Sequence, residues 1–136
     1  MPKQFEWKEE YSVGIKEIDD QHKQLVATIE RLSQAINAGH AKEILNDILD
    51  TLVQYAVNHF QTEEKYFDQF GYEFSDEHKK LHSEFKEKVS DFILKAKSDQ
   101  IKVSFDLIDF LEDWLLDHLV SADQKYVKCF KEHGLQ

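Results

Sequence analysis

From Ala41 to Phe70 the chain carries neither glycine nor proline, and its apolar residues recur at steps of three and four. Leu45, Leu49, Leu52 and Ala56 fall on one stripe, the pattern of a helix that buries one face. At about 30 residues such a helix is long for a globular protein and ordinary for a bundle. The same stripe then continues with His59 and Glu63. A histidine and a carboxylate placed where the chain has been placing leucine are cheap facing water and costly facing a core.

Three further amphipathic patterns follow the same rule. One spans about 19–38, with Asp19 as N-cap candidate, Gly39 as its end, and Ile18, His22, Leu25, Ile29, Leu32 and Ile36 on its stripe. Another spans about 75–97, opened by Ser75 and an acidic first turn, with His78, His82, Phe85, Val89 and Phe92 facing inward. The last spans about 103–132 and aligns Ile108, Leu111, Leu115 and His118, with some irregularity beyond. Gly71 is placed to cap the helix over 41–70. Residues 1–17 carry Phe5, Trp7, Tyr11, Val13 and Ile15 without helical spacing, so they are expected to form an extended arm packed on the rest. The expectation is an all-α protein: one domain over residues 1–136, folded as an antiparallel up-down-up-down four-helix bundle, because short connections make consecutive helices antiparallel neighbours.

Composition narrows the function classes. The net charge of -10 argues against nucleic acid or an anionic membrane as partner, since both are bound through basic patches. No apolar run approaches the ~20 residues of a membrane span, and the N-terminus lacks a signal-peptide layout. The single cysteine, Cys129, offers neither an internal disulfide nor a C-x-x-C motif. A monomer in the cytoplasm is the expectation.

Every helical pattern places a histidine on its core stripe. One inward histidine is ordinarily satisfied by a single hydrogen bond; five in one small bundle are not explained that way. His59 with Glu63, and His78 with His82, are each four residues apart, which leaves their side chains about 40° apart around the axis. Depth agrees as well: His22 and the His78–His82 pair come early in their helices, while His59, Glu63, His118 and Asp123 come late. Alternating helix direction therefore brings all of them to one end of the bundle. Asp123 is awkward, because five residues on an ideal helix turn it about 140° from His118. Both can face one site only if the helix is distorted or broken between them, as a π-bulge would do, with Ser121 a point where a bend could begin. Two carboxylates and five imidazoles are expensive to bury as free ions, and metal coordination is the usual remedy. Seven ligands exceed what one tetrahedral ion needs, which points to two metals bridged by the carboxylates; the absence of thiolates fits iron or manganese better than copper(I) or zinc.

The segments DDQHKQL around His22, HFQTEE from His59, HKKLH from His78 and HLVSAD from His118 together resemble hemerythrin, in particular the bacterial single-domain bacteriohemerythrins, over nearly the whole chain. The resemblance implies a non-haem di-iron centre that binds O2 reversibly. It implies that His78, His82 and His118 hold one iron and His22 and His59 the other, with Glu63, Asp123 and a solvent-derived oxo or hydroxo group bridging them, and that the iron with fewer histidines keeps the open position for O2. Phe60, Trp114, Leu115 and Leu119 are expected to wall that position, besides packing as ordinary core. The ligand set, rich in imidazole and without the E-x-x-H motifs of carboxylate-rich di-iron enzymes, favours binding over oxidation. The partner would then be O2, passed to an unidentified oxygen-consuming acceptor. The same site in a di-iron oxidase, peroxidase or nitric oxide reductase, or in a sensor of O2 or iron, is the alternative. His40 and His133 fall in exposed positions, and Glu64 points about 100° away from Glu63, as an exposed acid or one supporting a ligand.

Overall fold

The computed structural model describes residues 6–136, so Phe5 and the start of the expected arm lie outside the described residues. The protein is all-helical, with no strand among the described residues. Four helices form the bundle: α1 (Lys16–Asn37), α2 (Ala41–Phe70), α3 (Ser75–Lys95) and α4 (Gln100–Trp114). α1 packs against α2 and α4, and α2 and α3 pack against each other and against α4. The chain then continues without leaving the bundle through a π-helical stretch (Leu115–Ala122), a 3-10 turn (Asp123–Tyr126) and α5 (Val127–Glu132). The last helical pattern of the sequence is thus four segments in succession, α, π, 3-10 and α, rather than one helix.

Helix ends follow local chemistry, not always where the pattern places it. α2 stops because Gly71 takes the left-handed conformation, φ +64°, which costs glycine nothing. α4 begins at Gln100 rather than Val103, because the Asp99 side chain accepts from the Lys102 N–H at 3.0 Å and caps it. Asp19 is not an N-cap. α1 starts one turn earlier, and the Asp19 carboxylate instead accepts from the Ser12 hydroxyl at 2.5 Å and the Val13 N–H at 2.8 Å. It ties the preceding segment to the bundle, where a 3-10 turn (Glu9–Tyr11) leads into the buried side chains of Tyr11, Val13 and Ile15.

Two apolar clusters fill the interior. The larger includes Leu25, Ile29, Leu32, Leu49, Leu52, Ala56, Phe60, Phe85, Val89, Leu111, Leu115 and Leu119. The smaller collects Val13, Ile15, Ile18, Phe67, Tyr72, Tyr126 and Phe130. Along each arm of the bundle the chain passes from one cluster to the other across a polar step: Ile18 to Leu25 over His22, Phe60 to Phe67 over Glu63, Tyr72 to Phe85 over His78 and His82, and Leu119 to Tyr126 over Asp123. Hydrocarbon on both sides fixes the depth of a single polar layer and keeps water from it.

Candidate metal centre

That layer contains His22, His59, Glu63, His78, His82, His118 and Asp123, none more than 4% exposed. α1 supplies His22, α2 His59 and Glu63, α3 His78 and His82, and the π-helical stretch His118. The π conformation is what admits Asp123. Its N–H bonds the His118 carbonyl five residues back, and the wider turn carries the carboxylate round to the face that His118 occupies. The distortion begins at Leu115, well before Ser121.

Asp123 reaches in two directions. Its Oδ2 lies 2.8 Å from His22 Nε2 and 3.9 Å from His59 Nε2, and its Oδ1 lies 2.9 Å from the Nε2 atoms of both His78 and His118. Glu63 Oε1 is 3.2 Å from His59 Nε2, 3.0 Å from His82 Nε2 and 3.6 Å from His78 Nε2. The donors divide into two overlapping sets, His22, His59, Glu63 and Asp123 in one and Glu63, His78, His82 and His118 in the other, with ligand atoms inside each set within 4.8 Å of one another.

Short distances here do not mean hydrogen bonds. Both oxygens of Glu63, both of Asp123, and the Nε2 atoms of His78, His82 and His118 are buried without a hydrogen-bond partner. So many orphaned polar atoms in one dry layer would be a severe penalty if nothing else satisfied them. Their ligand atoms cluster in two groups, as ligands of an ion do. His22 Nε2 and His59 Nε2 are 3.0 Å apart, which is about the separation of two nitrogens bound at right angles to one ion at ~2.1 Å. A pair of transition-metal ions fits these residues.

The outer nitrogens of His59 and His82 support the same tautomer. His59 Nδ1 donates to Gln21 Oε1 at 2.6 Å, and Gln21 is itself steered by its amide bond to the Thr62 hydroxyl at 3.1 Å. His82 Nδ1 donates to Glu64 Oε2 at 2.8 Å, so Glu64 supports a ligand. A proton held on Nδ1 leaves the Nε2 lone pair free toward the centre. Gln21 is not legible from spacing, since it sits one position off the stripe; its place beside His22 is the only hint.

Electrostatics match. Burial opposes charge on His59 and His78, yet Glu63 and Asp123 outweigh it and raise both imidazoles from 6.5 to about 9. Burial prevails at His118, which is lowered despite Asp123 beside it. For Glu63, burial and the Asp123 charge push upward, but the surrounding histidines, His59 first, hold it well below the usual range; Asp123 is held low against burial chiefly by His118.

Phe60 lies flat on His82, centroids 3.9 Å apart, and Trp114 flat on His118, also 3.9 Å. Leu115 and Leu119 are buried in the same cluster. On the surface, a cavity of about 330 Å3 walled by Leu81, Phe85, Phe110 and Trp114 reaches His118. His40 and His133 are exposed and outside the centre.

Residues 13–130 match the model of the hemerythrin HHE cation binding domain. The bacteriohemerythrin of Pseudomonas aeruginosa (strain LESB58) is 33% identical over 125 residues, spanning 92% of this chain and 80% of its own length. That of Clostridium acetobutylicum is 31% identical over 127 residues, 90% of this chain and 98% of its own. A myohemerythrin from Theromyzon tessulatum is 30% identical over 126 residues, 93% of each.

Proposed function

The chain belongs to the hemerythrin family, and from that premise we propose that it binds O2 reversibly at a non-haem di-iron centre, as a carrier, store or supplier of oxygen rather than an enzyme. The observation that carries this reading is the division of the buried donors into two overlapping sets joined by Glu63 and Asp123. In the proposed assignment His78, His82 and His118 would hold one iron and His22 and His59 the other, with Glu63 and Asp123 shared between them. When bound, two ferrous ions supply the electrons that O2 takes up on binding and returns on release.

The chain's own residues set the terms. Five neutral imidazoles against two carboxylates keep the centre less anionic than a carboxylate-rich site, which disfavours deeper oxidation. Gln21 and Glu64 hold His59 and His82 in the ligating tautomer. Phe60, Trp114, Leu115 and Leu119 wall the side facing the larger cluster and exclude water, the condition for releasing oxygen intact. The cavity that ends on Trp114 and His118 lies against the three-histidine side of the proposed centre. No helix among the described residues is long and apolar enough to cross a membrane. A monomer in the cytoplasm, delivering to an oxygen-consuming acceptor, completes the proposal.

The test is to reduce the iron-loaded protein without oxygen, then cycle O2 pressure while following the visible spectrum. A charge-transfer band that appears and vanishes repeatedly, with two irons per chain by metal analysis, is the expected result. Loss of the band with consumption of reductant would mark an enzyme, and fewer than two irons would refute the centre itself.

A further inference from the structure

Tyr55 stands on α2 one turn before His59, in the larger apolar cluster, where the proposed function gives its hydroxyl nothing to do. The side chain is buried at 4% exposure, and its ring lies along the His59 imidazole, centroids 5.1 Å and planes 21° apart. Phe60 and Phe85 pack edge-on against it at 5.8 and 6.0 Å. Its hydroxyl has no hydrogen-bond partner. The Trp114 indole faces that hydroxyl, but its Nε1 also stops short of a full hydrogen bond.

Two buried donors thus meet with no acceptor other than the phenol oxygen. An indole N–H can only donate, whereas a phenol can accept and donate at once. If Trp114 gives its proton toward the Tyr55 oxygen, the phenol proton is left to be given to a third group. Glu63 and Asp123 are close enough to act on the hydroxyl through their charge, yet their oxygens are turned to the histidine nitrogens. Phenylalanine would fill this space without burying an unsatisfied oxygen. An acceptor that arrives from outside accounts for the tyrosine.

We propose that Tyr55 selects the ligand of the metal centre: its hydroxyl, oriented by Trp114, donates a hydrogen bond to a small molecule lodged beside His59 and favours one that carries negative charge, as reduced oxygen or azide does. This rests on the di-iron reading above. The experiment compares wild type with Tyr55→Phe in two states. The iron-loaded, oxidised protein is titrated with azide, and the azide stretch is recorded by vibrational spectroscopy in H2O and D2O; the metal-free protein is melted.

Tyr55→Phe is expected to load two irons and to melt, metal-free, at or above the wild-type temperature. It should bind azide about 10-fold more weakly and lose the deuterium shift of the azide stretch that wild type shows. Azide affinity within twofold of wild type, with the shift retained, would overturn the inference, as would a lower metal-free melting temperature, which makes the hydroxyl structural. Wild type that fails to take up two irons or to bind azide would instead sink the di-iron reading on which it rests.

Discussion

His59 and His82 each work through two nitrogens, and only one of them is announced by the sequence. Nε2 is legible: stripe position and depth put His22, His59, His78, His82 and His118 into one layer. What holds the other nitrogen of His59 is not, because Gln21 lies off the stripe and reaches it from the neighbouring helix, a contact that no local pattern encodes. Tyr55 escapes notice for the opposite reason: it lies on the stripe, one turn from His59, where an aromatic reads as core. The two classes of residue should fail differently. His82→Ala removes a donor and leaves a hole between carboxylates, so stable loading of two irons should be lost; an unchanged oxygenated spectrum would show that the ligands are misassigned. Gln21→Ala should keep the centre assembled while lowering iron affinity about 10- to 100-fold, read by competition with a chelator.

At the scale of the element, the informative failures are at helix ends. Four helices and their inward faces follow from apolar spacing alone, since burying one stripe is a strong and distributed signal. Ends depend on single hydrogen bonds, and the sequence offers several candidates for each. Asp19 has the right chemistry for an N-cap, but Ile15 already leads the chain into α1, and the carboxylate is left to bind Ser12 and Val13 behind it. The five-residue spacing of His118 and Asp123 demands a distortion between them without saying where it starts; the π-helical stretch begins at Leu115, inside a run that reads as regular helix. Asp19→Ala tests the reassigned contact. It should cost roughly 1–2 kcal/mol in urea unfolding, by releasing the segment that buries Val13 and Ile15, and leave iron content unchanged. A neutral result would mean that the apolar side chains hold that segment by themselves.

For the molecule as a whole, a dry polar layer between two apolar clusters must be neutralised by something, and protons are the alternative to metal. Without iron, His59 and His78 are raised from 6.5 to about 9 by Glu63 and Asp123, against the pull of burial. A group whose folded value is raised gives stability that is complete below its unfolded value and lost as pH climbs through the folded one. The metal-free protein should therefore weaken between about pH 6.5 and 9, by on the order of 3 kcal/mol for both histidines together, because they draw on the same two carboxylates. On the acid side the sign reverses. Glu63 and Asp123 are depressed, so their contribution is present above about pH 4 and fades as pH falls, and the lowered His118 adds to the acid loss below about 6.5. Metal replaces those protons, and iron-loaded protein should lose most of the alkaline slope. Melting temperatures of both forms from pH 6 to 10 decide it: a falling curve for the metal-free protein beside a flat one for the loaded protein is expected, and parallel curves would mean that protons and metal do not compete for the same atoms.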